Sequence, residues 1–240
     1  MTSKKSIYQF AGTLIYALGL LGGALLATII VWGDLEGTLF TSGLNAEKPL
    51  RTLNCPAIIT PNETSQISVV LKNPSDKEMR RFTRAYITEG YVSLVREIKE
   101  EVFIPVGEKR QITWDIQADD AAYGRIVLFR VYINAWYPYP SLGANCGVMR
   151  VDVPLLTGSQ VFILLVVSSI LLLIVGAWMR NLNKPTTIAF ETTTNSLYAL
   201  AVTLAITILI GYWGFWVFGV LGLACALLLT GIIIGRKLAY

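Results

Sequence analysis

Four long apolar runs bracket one stretch in which apolar and polar residues change places every position or two. The runs are residues 9–32, 158–179, 196–212 and about 216–235, and none contains Asp, Glu, Lys or Arg. A helix rises about 1.5 Å per residue and a bilayer's hydrocarbon layer is about 30 Å thick, so each run predicts a transmembrane helix. The first run follows Lys4 and Lys5, as a secretion signal would. It exceeds the apolar length of such a signal and lacks a clear small-residue cleavage site, so it is read as retained. Only Trp213, Gly214 and Phe215 separate the last two runs, which predicts a hairpin with Tyr212, Trp213 and Trp216 at the lipid interface.

Residues 33–157 carry the strand pattern. Ile67, Val69 and Leu71 alternate ahead of the turn Asn73-Pro74-Ser75-Asp76. Phe82–Ile87, Leu94–Ile104 and Gln111–Ile116 follow, then the apolar run Ile126–Ala135, and Val148–Val153 leads into the second helix. Short strands without a helical period predict two packed sheets. The segments TPNETSQISVVLKNPSD and IPVGEKRQITWDI resemble immunoglobulin-like or fibronectin-like surface modules of bacterial and archaeal proteins. The resemblance implies a β-sandwich and carries no activity. The expected fold is thus membrane α plus extracytoplasmic all-β, with the sandwich inserted between helices 1 and 2. The expected segments are 1–32, 33–157, 158–180, a cytoplasmic loop 181–195, and a helical hairpin with a short tail over 196–240.

Composition sharpens this picture. The chain of 240 residues is 54% hydrophobic and only 15% charged, far from a soluble domain's usual quarter. Its net charge of +4 belongs to the helix ends: Lys4, Lys5, Arg180, Lys184, Arg236 and Lys237 flank the apolar runs, whereas 33–157 is almost neutral. No nucleic-acid partner is expected. Basic flanks mark the cytoplasmic side, so both termini are expected there, in a plasma membrane, with 33–157 outside.

The candidate chemistry is sparse. Cys55 and Cys146 are the only cysteines of the 33–157 region and are expected to pair in an oxidising compartment. Cys225 falls in the fourth run. The loop Trp136-Tyr137-Pro138-Tyr139-Pro140 precedes Cys146 at the far end of the expected sandwich; Trp136, Tyr137 and Tyr139 are candidates for partner contact, a lid over the core, or a small ligand. Gly12, Gly19 and Gly23 share a face of the first helix, and Gly231 and Gly235 one of the fourth, so both are candidate packing faces. Histidine is absent, which removes the commonest acid–base and metal side chain. Asp119 with Asp120, Glu100 with Glu101, and the cluster Lys77, Arg80, Arg81 and Arg84 read as solvated charge, and Asn62-Glu63-Thr64 matches a glycosylation acceptor. No cofactor and no metal are expected, and no enzyme. The expected function is that of an accessory or structural membrane subunit, with lipids and other membrane subunits or copies of itself as partners. The alternative is a ligand-sensing or carrier-docking module that binds a small molecule or glycan through the aromatic loop.

Overall fold

The computed structural model describes the backbone of residues 2–40, 43, 45–182 and 188–238; Lys184 and the middle of the expected 181–195 loop lie outside the described residues. The chain divides into two compact units, Met1–Val31 with Phe162–Tyr240, and Trp32–Val161.

The first unit is helical: most of α1 (Thr2–Leu39) and α2 (Gly158–Asn181), with α3 (Ile188–Tyr212) and α4 (Trp216–Leu238). Four stretches, Tyr8–Leu39, Gly158–Asn181, Thr192–Tyr212 and Trp216–Gly235, are long and apolar enough to cross a membrane. Leu14, Leu21, Ile163, Leu171, Leu209 and Leu227 are exposed on them, an apolar surface that is costly to leave in water. The helices meet where side chains are missing. A methyl carbon on Gly12 would stand 3.0 Å from Met179 Cβ, one on Gly19 2.9 Å from Leu173 N, and one on Gly23 3.5 Å from Ser169 Oγ. Ser169 Oγ also donates to the Gly19 carbonyl at 2.8 Å. Gly231 and Gly235 meet no described atom within 4 Å. The tight contacts fall instead at Gly176, against the Tyr16 backbone, and at Gly211 and Gly219, against Ile30 and Val31.

The second unit is built on β1 (Lys48–Pro49), β2 (Leu53–Asn54), β3 (Ile58–Ile59), β4 (Thr64–Lys72), β5 (Met79–Glu89), β6 (Tyr91–Ile104), β7 (Lys109–Gln117), β8 (Ile126–Ile133) and β9 (Leu142–Arg150). The larger sheet runs β1-β9-β8-β5-β6, with β3 also on β9; the smaller runs β2-β4-β7. Alternation decides which residues lie between them. Ile67, Val69 and Leu71 of β4 and Ile112, Trp114 and Ile116 of β7 meet Ala85, Ile87, Val127, Phe129, Val131 and Val148 of the larger sheet in one core. The Trp114 and Phe129 rings lie 5.3 Å apart at its centre. Cys55, just past β2, and Cys146, in β9, form a disulfide that joins the two sheets.

Three expectations about this architecture are corrected. The immunoglobulin-like or fibronectin-like description fails because the larger sheet is mixed: β1 and β3 both pair parallel to β9, whereas β5, β6 and β8 are antiparallel to their neighbours. The short segments that follow α1 run beside β9 in its own direction and hydrogen-bond to it, Leu50 N to Gly143 O at 2.8 Å and Val151 N to Ile59 O at 3.0 Å. Helix 1 does not end at residue 32, and helix 3 begins before 196. No proline falls between Gly33 and Leu39 to stop the helix. Gly33 and Gly37, one turn apart, lay that extension on β9. A methyl carbon on Gly33 would stand 2.6 Å from the Gly147 carbonyl oxygen, and one on Gly37 2.7 Å from the Cys146 carbonyl carbon. Phe40 packs on Ile126 and Leu128, Arg130 donates to the Phe40 carbonyl at 3.0 Å, and Asn145 Nδ2 donates to Thr38 Oγ1 at 3.0 Å.

Two polar devices hold the turns. Thr157 and Gln160 form a reciprocal cap on α2, Gln160 N donating to Thr157 Oγ1 at 3.3 Å and Thr157 N to Gln160 Oε1 at 3.0 Å. Glu63 Oε2 accepts from Gly158 N at 2.6 Å and from Thr60 N at 3.2 Å, fixing the first residue of the helix to the β3–β4 turn. At the opposite end Asn73 is fully buried. Its Nδ2 donates to the carbonyls of Lys77, Ile104 and Pro105 at 2.8, 2.9 and 3.1 Å, and its Oδ1 accepts from Ser75 N at 2.9 Å. Asn73→Ala leaves buried carbonyls without donors and is expected to lower stability by about 2 kcal/mol. A denaturant titration of the full chain followed by hydrogen exchange in β4 and β7 measures it.

Candidate functional site

The α1 extension covers the β8–β9 half of the larger sheet's outer face and leaves the β5–β6 half open. Along the first half of β5, Met79, Arg81, Thr83 and Ala85 are buried, so Arg80, Phe82 and Arg84 point outward and are exposed. On β6, Phe103 stands opposite Arg80, Glu101 opposite Phe82, and Lys99 opposite Arg84. Two phenylalanines that an amphipathic strand would turn to the core therefore lie on the surface, diagonal to each other. The Arg80 guanidinium sits 5.2 Å from the Phe82 ring centre and 5.4 Å from that of Phe103, and it is also ion-paired to Glu101. This ring–cation–ring strip holds its geometry through both stacking and charge.

Beside it lies a shallow open depression of about 320 Å³ lined by Phe82, Thr83, Arg84, Lys99, Glu100, Glu101 and Asn134. Lys99 Nζ lies 3.0 Å from Glu97 Oε2, and Tyr86 donates to Glu97 Oε1 at 3.0 Å. The Lys99 hydrogen bond, aided by Tyr86 and by the charges of Lys99 and Arg84, holds the Glu97 carboxyl below its ordinary range. Asn134 N donates to the Phe82 carbonyl at 2.9 Å, which ties the start of the aromatic loop to the rim.

That loop splits in two. Trp136 and Tyr139 close a tight antiparallel bridge around a cis Tyr137–Pro138 bond. Tyr139 packs against the core under the buried Arg81 guanidinium, 5.5 Å from its ring centre, and Arg81 donates to the Asn134 and Pro140 carbonyls at 2.8 and 3.3 Å. Tyr137 is 95% exposed and Trp136 about half exposed, at the same end of the sheet as Phe82.

The carboxylates singled out in the sequence are not brought together. Asp120 is buried against Arg96 at 3.1 Å and accepts from Gln117 N at 2.8 Å, as a structural turn closer. Asp119 is exposed, 3.9 Å from Arg150. Glu97 and Glu101 share the outer face, but four residues of strand, about 13 Å, separate them, beyond the roughly 5–9.5 Å of paired glycosidase carboxylates. The basic cluster divides as well: Arg81 turns inward while Arg80 and Arg84 turn outward. Cys225 is an exposed free thiol. Among the described residues, no group of three His, Cys, Asp or Glu could hold a metal ion. The sequence does not announce the open strip, because Phe82 and Phe103 fall within ordinary strand-patterned runs. Their phase against the buried set was the available signal.

No family model and no curated protein matches the chain. Likenesses exist among solved structures. β-Glucuronidase 2 of Bacteroides uniformis, covalently bound to a cyclophellitol-6-carboxylate aziridine, is 11% identical over 41% of this chain and 12% of its own, with a TM-score of 0.31. β-Glucosidase of Listeria innocua in complex with glucose is 18% identical over 43% and 16%, with a TM-score of 0.29. A β-glucosidase of intestinal bacteria involved in saponin metabolism is 14% identical over 37% and 14%, with a TM-score of 0.25. The chain therefore spans no more than 16% of the length of these enzymes. Likenesses of this size decide neither activity nor location.

They give no support to several expectations formed from the sequence. The accessory or structural membrane subunit, the absence of enzymatic activity, the lipid and membrane-subunit partners, and the plasma-membrane location with cytoplasmic termini are withdrawn. A narrower statement replaces them. Among the described residues, four helices are long and apolar enough to cross a membrane, and a two-sheet β unit carries an open aromatic and charged face.

Proposed function

We propose that the Trp32–Val161 unit binds a carbohydrate on the open half of its larger sheet. The observation that supports this reading is the pair of outward phenylalanines, Phe82 and Phe103, held around Arg80 beside a depression rimmed by Arg84, Lys99, Glu101 and Asn134. A sugar ring presents an apolar face of C–H groups and an equatorial belt of hydroxyls. The aromatic strip suits the face, and charged side chains that both donate and accept suit the belt. A flat, solvent-open platform fits an extended chain of sugar units better than one enclosed monomer. Trp136 and Tyr137, at the same end of the sheet, would lengthen the platform.

Calorimetric titration of the full chain against oligosaccharide panels tests the reading. Phe82→Ala is expected to weaken the best binder about tenfold, which corresponds to about 1.4 kcal/mol, and to leave the unfolding midpoint nearly unchanged because the ring is exposed. Binding that is indifferent to Phe82→Ala and Phe103→Ala overturns it.

A further inference from the structure

The charges on the same face select among carbohydrates, and this inference rests on the carbohydrate reading above. We infer that the bound sugar chain is acidic and that Arg84 and Lys99 together receive one of its carboxylates. Arg84 and Lys99 are cross-strand partners in the β5–β6 register, and both line the depression. Like charges directly opposite on neighbouring strands repel, and such a pair is destabilising unless an anion lies between.

The acids within the same face do not remove the problem. Glu101 is engaged by Arg80, on the far side of Phe82. Glu97 is shared by Lys99 and Tyr86, and Arg84 reaches it only through the longer-range field. On its other side Arg84 stands opposite Tyr132 of β8, which brings no charge at neutral pH. Glu100 and Glu101 also line the depression, but they stand opposite Thr83 and Phe82, so at the register position where Arg84 meets Lys99 the two cations face each other. A guanidinium offers a planar fork that matches a carboxylate with two parallel hydrogen bonds, and a neighbouring ammonium adds a third donor. With an adjacent ring stacked on Phe82, a uronate carboxylate has a complementary seat.

The test compares oligogalacturonate with a cello-oligosaccharide of equal length, titrated into the full chain at low and at high salt. Oligogalacturonate is expected to bind at least about tenfold more tightly at low salt, with the advantage shrinking as salt rises. Arg84→Gln, and separately Lys99→Gln, are expected to bring its affinity down to the neutral chain's level. Both side chains are exposed, and an unchanged unfolding midpoint identifies the loss as one of binding. Equal affinity for the two sugars, or a preference that survives both substitutions, overturns the acidic inference and leaves the carbohydrate reading standing. If neither sugar binds, nor any member of the broader panel, both fall.

Discussion

Removing the Cys55–Cys146 bond should cost the β unit about 4 to 5 kcal/mol, the largest effect expected of any change in this chain. The bridge spans 91 residues of sequence, and the chain-entropy estimate for a loop of that length is of this size. Its position makes the loss cooperative. Cys146 sits in the core on β9, and Cys55 follows β2 of the facing sheet, so the bond ties the small sheet to the large one at one edge. β2 itself is two residues long and cannot hold that edge by its own hydrogen bonds. Cys55→Ala with Cys146→Ala avoids leaving a free thiol. The expected result is a lower denaturant midpoint, with early loss of hydrogen-exchange protection at Leu53–Asn54 and β4. A midpoint that hardly moves would show that core packing alone keeps the sheets in register.

The second large effect is expected at Gly147. It lies in β9 beneath the α1 extension, and a methyl group there would run into the carbonyl of Gly33. Backbone atoms on both sides of a contact cannot rotate away as a side chain can. Gly147→Ala is therefore expected to cost about 3 kcal/mol through overpacking. The cost should appear locally first, as faster exchange of the amides from Gly33 to Leu39 and loss of the Thr38–Asn145 and Arg130–Phe40 hydrogen bonds. Gly33→Ala should reproduce the pattern, since it meets the same contact from the other side. A helix extension that stays protected in both variants would mean that the Phe40 contact with Ile126 and Leu128 suffices to hold it.

These two sites show how differently the sequence spoke. β4 and β7 were legible because each has one face in a single core, so Ile67, Val69 and Leu71, and Ile112, Trp114 and Ile116, alternate cleanly with polar neighbours. The beginning of β9 was not. Its residues Gly143, Asn145 and Gly147 resemble a loop because the face they present is covered by chain rather than by water, Gly143 by Ala46 and Asn145 and Gly147 by the α1 extension, and close approach there excludes larger side chains. The α1 extension was hidden for a related reason: Asp34 and Glu36 interrupt the apolar run, while the glycine spacing that docks it lies outside the run. Parallel pairing of β1 and β3 with β9 left no local mark, since two-residue strands are fixed by tertiary hydrogen bonds. The aromatic strip needed the β5–β6 register before Phe82 and Phe103 could be placed together, and register is a long-range property.

The placement of β1 and β3 along β9 has a bearing on how copies of the chain behave toward one another. A β-sheet ends in rows of unpaired amides and carbonyls that invite another sheet to join. On the β9 side that row is occupied at both ends by β1 and β3 of the same molecule. On the β6 side, Arg96, Glu97, Lys99, Glu100 and Glu101 put alternating charge along the rim, and between Thr88 and Glu89 the ladder slips so that Val92 to Leu94 bow out of line. Neither rim offers a long, flat template. Crowding many copies together should accordingly not seed fibrils through the rims of the larger sheet.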